Sequence, residues 1–490
     1  MEVVLPLEHL GVSPERWDRF PLDAKAIIVN QHARLIQLEE AVRDLQARLK
    51  KDSSNSHKPP SSDPPGKQRE KKKPSGKPSG AQKGHPGYHR PMVPLEQVDE
   101  VHKHFPDRCA HCEHVLTAEG DIPGVVGRHQ IFELPKIKVT IIEHQTYERA
   151  CYGCGKVTRA KLPEAVSQSS VGPQVQAEIA YLVGKCHLSR RRVVEYAATS
   201  WGLPLCMGTV HRIEQNVSQA LEKPYVQVVK IVKAARVRNL DETGWKEKGK
   251  RRYLWSAGCA KATVFKIAPS RGAEVLKDLF GDALQNGHSI TDRHKGYDPE
   301  IPMDQRGICW AHLKRDFKKI QQVGGLAGQL GDALQFRRKQ ARDLWYRFKD
   351  GGIDRAQLQE HSRPIRESIK RLLEEGQHYP KVGGACKDML RYEQAMWNYL
   401  FVEGMEPTNN AAERALRQAV IWRKGSFGTQ SLSGSQFVER ILTVAETCRQ
   451  NGRNMLDYLV SAVQSNILGH AAPSLILSVL ALILFVLPDG

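Results

Sequence analysis

The sequence predicts a multidomain α/β fold, and three observations predict it. The chain has 490 residues, more than one ordinary hydrophobic core serves, so several domains are expected. Strand-like stretches concentrate in its middle, at Lys230 to Val237, Tyr253-Leu254-Trp255, Ala262 to Ile267, His288 to Thr291 and Arg306 to Trp310. The first three read as a β-meander. A helical pattern at Ala273 to Phe280 separates them from the fourth, and long helical patterns flank the group on both sides. Seventy-three Lys plus Arg against fifty-four Asp plus Glu leave a formal charge of +19, which makes a polyanion, and nucleic acid first, the expected partner. Ten cysteines are too few for a disulfide framework in a chain this long. Four of them form two Cys-x-x-Cys pairs, a usage that suits metal and a reducing cytoplasm. The start shows no charged segment leading into an apolar one, so no secretion signal is expected.

Lys25 to Lys50 is helical in pattern, with Ile28, Leu35, Leu38, Val42, Leu45 and Leu49 on alternating spacings of three and four once Gln31 is allowed as a gap. That heptad seam predicts a coiled-coil helix over 25–50 and a homodimer or higher assembly, with Arg34 at a g position facing Glu39 at the following e. One amphipathic helix packed on its own domain is the other reading. Residues 51–91 change character, with Pro59-Pro60, Pro64-Pro65 and Lys71-Lys72-Lys73, and read as a basic linker that cannot bury enough apolar surface to fold. Its lysines serve loose phosphate contact or plain solubility. In residues 92–165, Cys109-Ala110-His111-Cys112 and Cys151-Tyr152-Gly153-Cys154 are paired knuckles suited to one structural Zn2+, whose four thiolate ligands leave no open position for a substrate water. Alternation from Arg128 to Arg149 reads as a hairpin that joins the knuckles into a zinc-ribbon-like domain; redox or incidental thiols are the alternative. Residues 170–232 carry helical patterns at Pro173 to Ala198 and Met207 to Leu221 around Trp201-Gly202-Leu203-Pro204, the order of a helix-turn-helix. Thr209, His211 and Arg212 would then read DNA while Arg190, Arg191 and Arg192 cross its backbone. Helical pairs in ordinary cores share this pattern.

The run Val237 to Asp241 reads as a strand that ends by presenting a carboxylate, with Gly244 breaking it, and a second strand runs into Asp292. Carboxylates delivered by neighbouring strand ends can share divalent ions, and Mg2+ suits oxygen ligands and phosphate substrates. A third acid normally arrives from a helix, and Glu413 in Thr408 to Arg417 is best placed, with Glu403, Glu406 and Glu439 next. Asn410 followed at the third position by Glu413 is equally a capping box, and Glu413 with Arg417 an ordinary helix pair. Residues of about 321–405, between the second Asp and the Glu, read as a helical insertion that presents Arg337, Arg338, Lys339, Arg342 and Arg347 on exposed positions. Ser433 to Val463 reads as helix closing the core, with Arg440, Arg449 and Arg453 as surface charge. In the tail, 466–490, the apolar run Leu475 to Leu487 falls short of the roughly 20 residues that span a bilayer, so a buried or aberrant tail is expected and no membrane role.

Asp-Glu-Thr-Gly-Trp at 241–245, Asp292 with Gly296-Tyr297, Cys309-Trp310-Ala311-His312 and Asn409-Asn410-Ala411-Ala412-Glu413-Arg414-Ala415-Leu416-Arg417 together resemble the insertion sequence 66 family of bacterial transposases. Lys77 to Gly87 in the linker resembles it too, and the likeness runs from about residue 25 to about 465. It implies a ribonuclease-H-like mixed-sheet catalytic core over 233–465, with Asp241, Asp292 and Glu413 as an acidic triad holding two Mg2+. His312 would lie near the scissile phosphate or the flanking DNA, unless it caps a helix or packs in the core. Arg414 and Arg417, on the helix of Glu413, are further candidate DNA contacts. The implied activity is cleavage of double-stranded DNA at transposon ends and joining to target DNA, in a cytoplasmic, nucleoid-associated protein, with small accessory proteins encoded by the same element. Two rivals follow from the same residues: a nuclease of this fold that cuts without joining, and a zinc-containing DNA-binding regulator whose acids are caps and ion pairs.

Overall fold

The computed structural model describes residues 13–49, 90–117, 125, 127–163, 166 and 169–476 and falls into two units, one of Met1–Asp63 with Ile141–Gly490 and one of Pro64–Thr140. At the start, Ser13 caps the short helix α1 (Pro14–Asp18) and α2 (Leu22–Leu49) follows as one continuous helix. On α2 the seam residues Leu35, Leu38 and Val42 are at least half exposed, whereas the side chains of Leu45 and Leu49, and residues 50–89 of the linker, lie outside the described residues.

In the second unit the Cys109 knuckle is a tight turn in which Glu113 N–H donates to the Cys109 carbonyl at 2.9 Å, with Glu113 at a positive φ of 58°. The described residues 127–140 of this unit carry no strand, nor do residues 141–147 of the first, so the strands expected of a hairpin over 128–149 are not seen there. Ile131, Leu134, Ile141 and Ile142 are all more than half exposed, so the alternation there has no face to bury and nothing selects a register. In the first unit, pairing starts with β1 (Glu148–Ala150) against β2 (Val157–Arg159), a small antiparallel ladder closed over the second knuckle.

Four helices come next: α3 (Pro173–Gly184), α4 (Arg190–Trp201), α5 (Met207–Ala220) and α6 (Glu222–Ala234). The single helix expected over 173–198 is thus two, because His187 takes a positive φ of 58° and Ser189 caps a new start. The apolar run expected to begin a strand at Lys230 is helical until Ala234, since Pro224, Val228 and Val232 repeat every four residues and form one buried stripe.

The sheet has five strands in the order β5-β4-β3-β6-β7: β3 (Val237–Glu247), β4 (Lys250–Gly258), β5 (Thr263–Ala268), β6 (His288–Thr291) and β7 (Arg306–Ile308). The meander β3-β4-β5 is antiparallel, and β6 and β7 run parallel to β3. Helix α7 (Ala273–Phe280) makes the crossover that parallel pairing requires. Gly244 does not break β3; it pairs with Tyr253 of β4 inside the ladder. Beyond β7 come α8 (Trp310–Gln321), the expected insertion as α9 (Gly325–Lys349), α10 (Arg355–Gly376), α11 (Gly383–Arg391) and α12 (Glu393–Trp397), then α13 (Asn410–Ser426), α14 (Leu432–Gln450) and α15 (Met455–Ile467). The insertion buries Leu334, Leu358, Ile369 and Met389 together with Leu313 and Phe317 of α8, Ile290 of β6 and Ile308 of β7 in a second core. Lys339, Arg342 and Arg347 are exposed on α9 as expected, but Arg337 and Arg338 are half-buried.

Residues 433–463 are two helices because Gly452, at φ 61°, turns the chain and Asn454 caps the second. Arg440 is not free surface charge: its side chain is mostly buried and donates to the Ser218 carbonyl at 2.8 Å. The tail beyond Ile476 lies outside the described residues, and among those described no helix is long and apolar enough to cross a membrane. Helix α14 covers the β5 edge, where Glu439, Thr443 and Thr447 accept the outward N–H groups of Ile267, Phe265 and Thr263 at 2.8, 3.1 and 3.3 Å, which blocks further strand addition. Thr443→Val keeps the shape but strands the buried Phe265 N–H, at a cost of about 1–3 kcal/mol. We expect a lower melting temperature and faster exchange of the Phe265 amide; unchanged values would show the edge needs no side-chain acceptor.

Candidate active site

The site begins where two parallel strands part. β3 pairs with β6 only from Val237 to Asn239, then runs on past it to Glu247, where Thr429 bridges its far end. Asp241 stands just past the point of separation, and Asp292 follows the last residue of β6. A crevice at the carboxyl ends of parallel strands is the usual place for a ligand in an open sheet. Each carboxylate is oriented locally, Asp241 Oδ1 accepting from the Glu242 N–H at 2.9 Å and Asp292 Oδ1 from the His294 N–H at 2.8 Å.

Glu413 reaches the crevice because α13 is clamped to β3 at both ends. At its start, the buried Asn409 donates to the unpaired Leu240 carbonyl at 2.7 Å and accepts from Asn239 Nδ2 at 2.9 Å, while its own N–H donates to Cys309 Sγ at 3.2 Å. At its end, Arg423 donates to the Gly244 carbonyl, and Thr429 exchanges backbone bonds with Lys246 and Lys248 at 2.9 Å. Gly428 sits at φ 111°, where a Cβ would meet the Lys246 carbonyl at 2.2 Å, so the return onto β3 requires glycine. Asn409, not Asn410, is the cap residue, and its side chain makes no capping bond. The capping box that offered a structural explanation for Glu413 is therefore absent, and Glu413 stands 39% exposed, 3.8 Å from His312.

Electrostatics tie the three acids into one cluster. Burial pushes the Asp241 carboxyl well above the usual carboxylate range, and the nearby charges of Glu242, Asp292 and Glu413 push it further. Glu413 is raised by burial, with Asp292 adding to it and Arg315 and Arg414 pulling back. Like charges crowded into a partly desolvated crevice favour protonation unless a cation joins them. All the donors are carboxylate oxygens, the ligand class of Mg2+. Cys309, His312 and Glu413 also present Sγ, N and O atoms within 4.8 Å of one another, but Cys309 is buried, its thiol raised to about 11 by that burial, and a thiolate is the form that binds metal.

Several supporting residues escaped sequence reasoning. Glu242 pairs with Arg271 at 2.5 Å and accepts from the buried Tyr297 hydroxyl. Arg306, fully buried on β7, donates to the Asp292 and His294 carbonyls at 2.9 and 3.2 Å, to Thr291 Oγ1 at 2.9 Å and to Asp298 at 2.5 Å. Arg293 bridges Asp316 of α8 and Asp388 of α11, the latter at 2.6 Å. The signal for Tyr297 was its place in the Gly296-Tyr297 motif; nothing in the sequence marks Arg306 or Arg293 as buried.

The remaining predicted residues lie apart from the acids or beside them. Arg190 is committed to Glu214 (Nε to Oε1, 3.0 Å) and to His211 Nδ1 at 3.1 Å, which locks α4 onto α5. Arg191, Arg192 and Arg212 are exposed and Thr209 is half-buried. Arg414 and Arg417 are exposed on α13. Of the alternative acids, Glu439 is engaged on β5, Glu403 lies 3.7 Å from Arg236 and Glu406 2.8 Å from Lys349. In each cysteine knuckle the first thiol, Cys109 or Cys151, is lowered by backbone N–H donors two and three residues on and by its partner, Cys112 or Cys154.

Comparison with known proteins agrees with these motifs. A curated relative, the uncharacterized protein y4qI of Sinorhizobium fredii, is 32% identical over 163 residues, which cover 31% of this chain and 29% of that one; the chain thus matches less than a third of the relative's length. A model for a family of unknown function (DUF6444) matches residues 17–91. The model of the Transposase IS66 family matches residues 168–436, more than half of the chain and all of the sheet, the acid cluster and the insertion, and the chain belongs to that family.

Proposed function

We propose that this chain is a DNA transposase that cuts at the ends of its element and joins them to target DNA, with Asp241, Asp292 and Glu413 as the ligands of two Mg2+. The observation that carries the reading is the convergence of three carboxylates from β3, the end of β6 and α13 at one crevice. The strand order, three antiparallel strands followed by two parallel to the first, supports a ribonuclease-H-like core. When bound, the two ions would supply Lewis-acid stabilisation to the attacking and leaving oxygens of phosphoryl transfer. The chain's own part is to hold the acids: Arg306 fixes the Asp292 backbone and Asn409 sets the start of α13. Exposed Arg414 and Arg417, on the helix of Glu413, neutralise DNA phosphates without reading bases. His312, half-buried beside Glu413, orients that carboxylate or contacts the scissile phosphate.

Two accompanying proposals concern assembly. Cys109, Cys112, Cys151 and Cys154 hold one structural Zn2+; the two knuckles share the turn geometry and the lowered first thiol that a thiolate site uses. The exposed stripe Leu35, Leu38 and Val42 on α2 pairs with a second copy, so that two ends are held together. The small accessory proteins and a nucleoid-associated cytoplasmic location belong to the same reading.

Asp241→Asn, Asp292→Asn and Glu413→Gln should each lower Mg2+-dependent cleavage and strand transfer by orders of magnitude while duplex binding survives. Asp241→Asn should also raise the melting temperature in metal-free buffer, because it removes a buried like charge. Full activity in all three variants would refute the triad, and cleavage without joining would leave a nuclease. Cys109→Ser should lose about one equivalent of zinc and disorder its own module without abolishing metal-dependent chemistry; unchanged zinc content refutes that site. Leu38→Lys places an ammonium in the seam and should lower the mass seen by light scattering, and an unaltered mass would leave α2 a monomeric helix.

A further inference from the structure

Next to the acids, and outside the roles given above, a cleft of about 770 Å³ opens between α8, α9 and the start of α13. Its inner wall includes Asn239, Asn410 and Ala411, so it begins two residues from Asp241 and from Glu413 on the elements that carry them. Five cationic side chains line it against two acids, and two of the five are ion-paired, Lys349 with Glu406 and Arg342 with Asp343, each at 2.8 Å. Besides Lys349 the cations are Lys314, Arg338, Arg342 and Arg414. Lys314 is held below the usual ammonium range by burial and by the charges of Arg338, Lys318 and Arg342. The start of α13 adds its dipole, because Asn409 is turned to β3 and gives no side-chain cap to the first N–H groups. On the outer wall Tyr346 is 58% exposed on α9, one residue from the buried Trp345, and both line the cleft.

We propose that this cleft binds an unpaired DNA strand next to the scissile phosphate, with phosphates on Lys314, Arg338, Arg342 and Arg414 and a base stacked on Tyr346. The charge selects a polyanion. Its volume lies in the range of roughly 300–1,000 Å³ that houses a small ligand, room for nucleotides inside it. A cationic groove with an exposed aromatic face is how single strands are bound without base readout. The inference rests on the reading of the neighbouring acids as a strand-cleaving site and names the state of the DNA beside it.

The test uses the full chain carrying Asp241→Asn, without divalent metal, and fluorescence anisotropy on two probes: a blunt duplex and the same duplex with an unpaired tail of about ten thymidines. The tail should tighten binding by about five- to a hundredfold, the value of stacking a base. Arg342→Ala and Tyr346→Ala, both at exposed positions of α9, should each remove most of that gain and leave blunt-duplex affinity within about twofold. No gain from the tail, or equal loss on both probes, overturns the proposal. Because no cleavage is read, a tail preference that persists in a protein with no metal-dependent cleavage would sustain the cleft and refute the triad. Metal-dependent cleavage in a protein with no tail preference would do the reverse.

Discussion

The contact on which the rest of the structure depends is the side-chain grip of Asn409 on β3. Where β6 stops, the Leu240 carbonyl loses its ladder partner, and a buried carbonyl left unmatched would cost about 1–3 kcal/mol. Asn409 supplies the donor at 2.7 Å, and by doing so fixes where α13 starts and which way its first turn faces. Glu413, one turn further on, points into the crevice as a consequence. The Asn409 Oδ1 that a helix cap would use instead accepts from Asn239 Nδ2, and with its side chain turned to β3 the start of α13 has no side-chain cap.

A second layer of constraint comes from the insertion, which is separated from the sheet in sequence but not in function. Arg306 lies between the loop that follows β6 and the helices α11 and α12, through Asp298, which also accepts from Tyr392 at 2.9 Å. Asn398, after α12, donates to the carbonyls of Met303 and Arg306 at 2.8 and 2.7 Å, and Trp310 donates to the Met396 carbonyl at 2.7 Å. Buried charges are tolerated only when so thoroughly paired. The loop that carries Asp292 is thereby held from both sides, which gives the insertion a structural task beside any contact it makes with DNA.

Much of this was legible in sequence because it is local. The strands around Asp241 and Asp292 follow from short apolar, β-branched runs, and Glu413 was reached as the helix acid that follows two strand acids in order. What failed to show were effects of tertiary partners. The run from Lys230 to Val237 is β-branched enough to suggest a strand, but up to Ala234 it continues a helix whose four-residue stripe is buried. Gly244 suggested an end, yet β4 continues the ladder through it. The stretch 128–149 alternates as a hairpin would, but alternation alone provides no second layer to bury one face. Arg306 and Arg293 have the composition of surface residues, and only the fold places carbonyls and carboxylates around them.

The acid cluster and the buried network have opposite energetic characters. Arg306 meets acceptors at every side and steadies the fold as it stands. Asp241 is held protonation-prone by burial and by the charges of Glu242, Asp292 and Glu413. Evolution of a purely structural site would remove such crowding, since one Asn at 241 relieves it without changing shape. The clamp at Asn409 and the buttress at Arg306 are the counterpart of the cluster: they hold the elements that carry Glu413 and Asp292 in place against that repulsion.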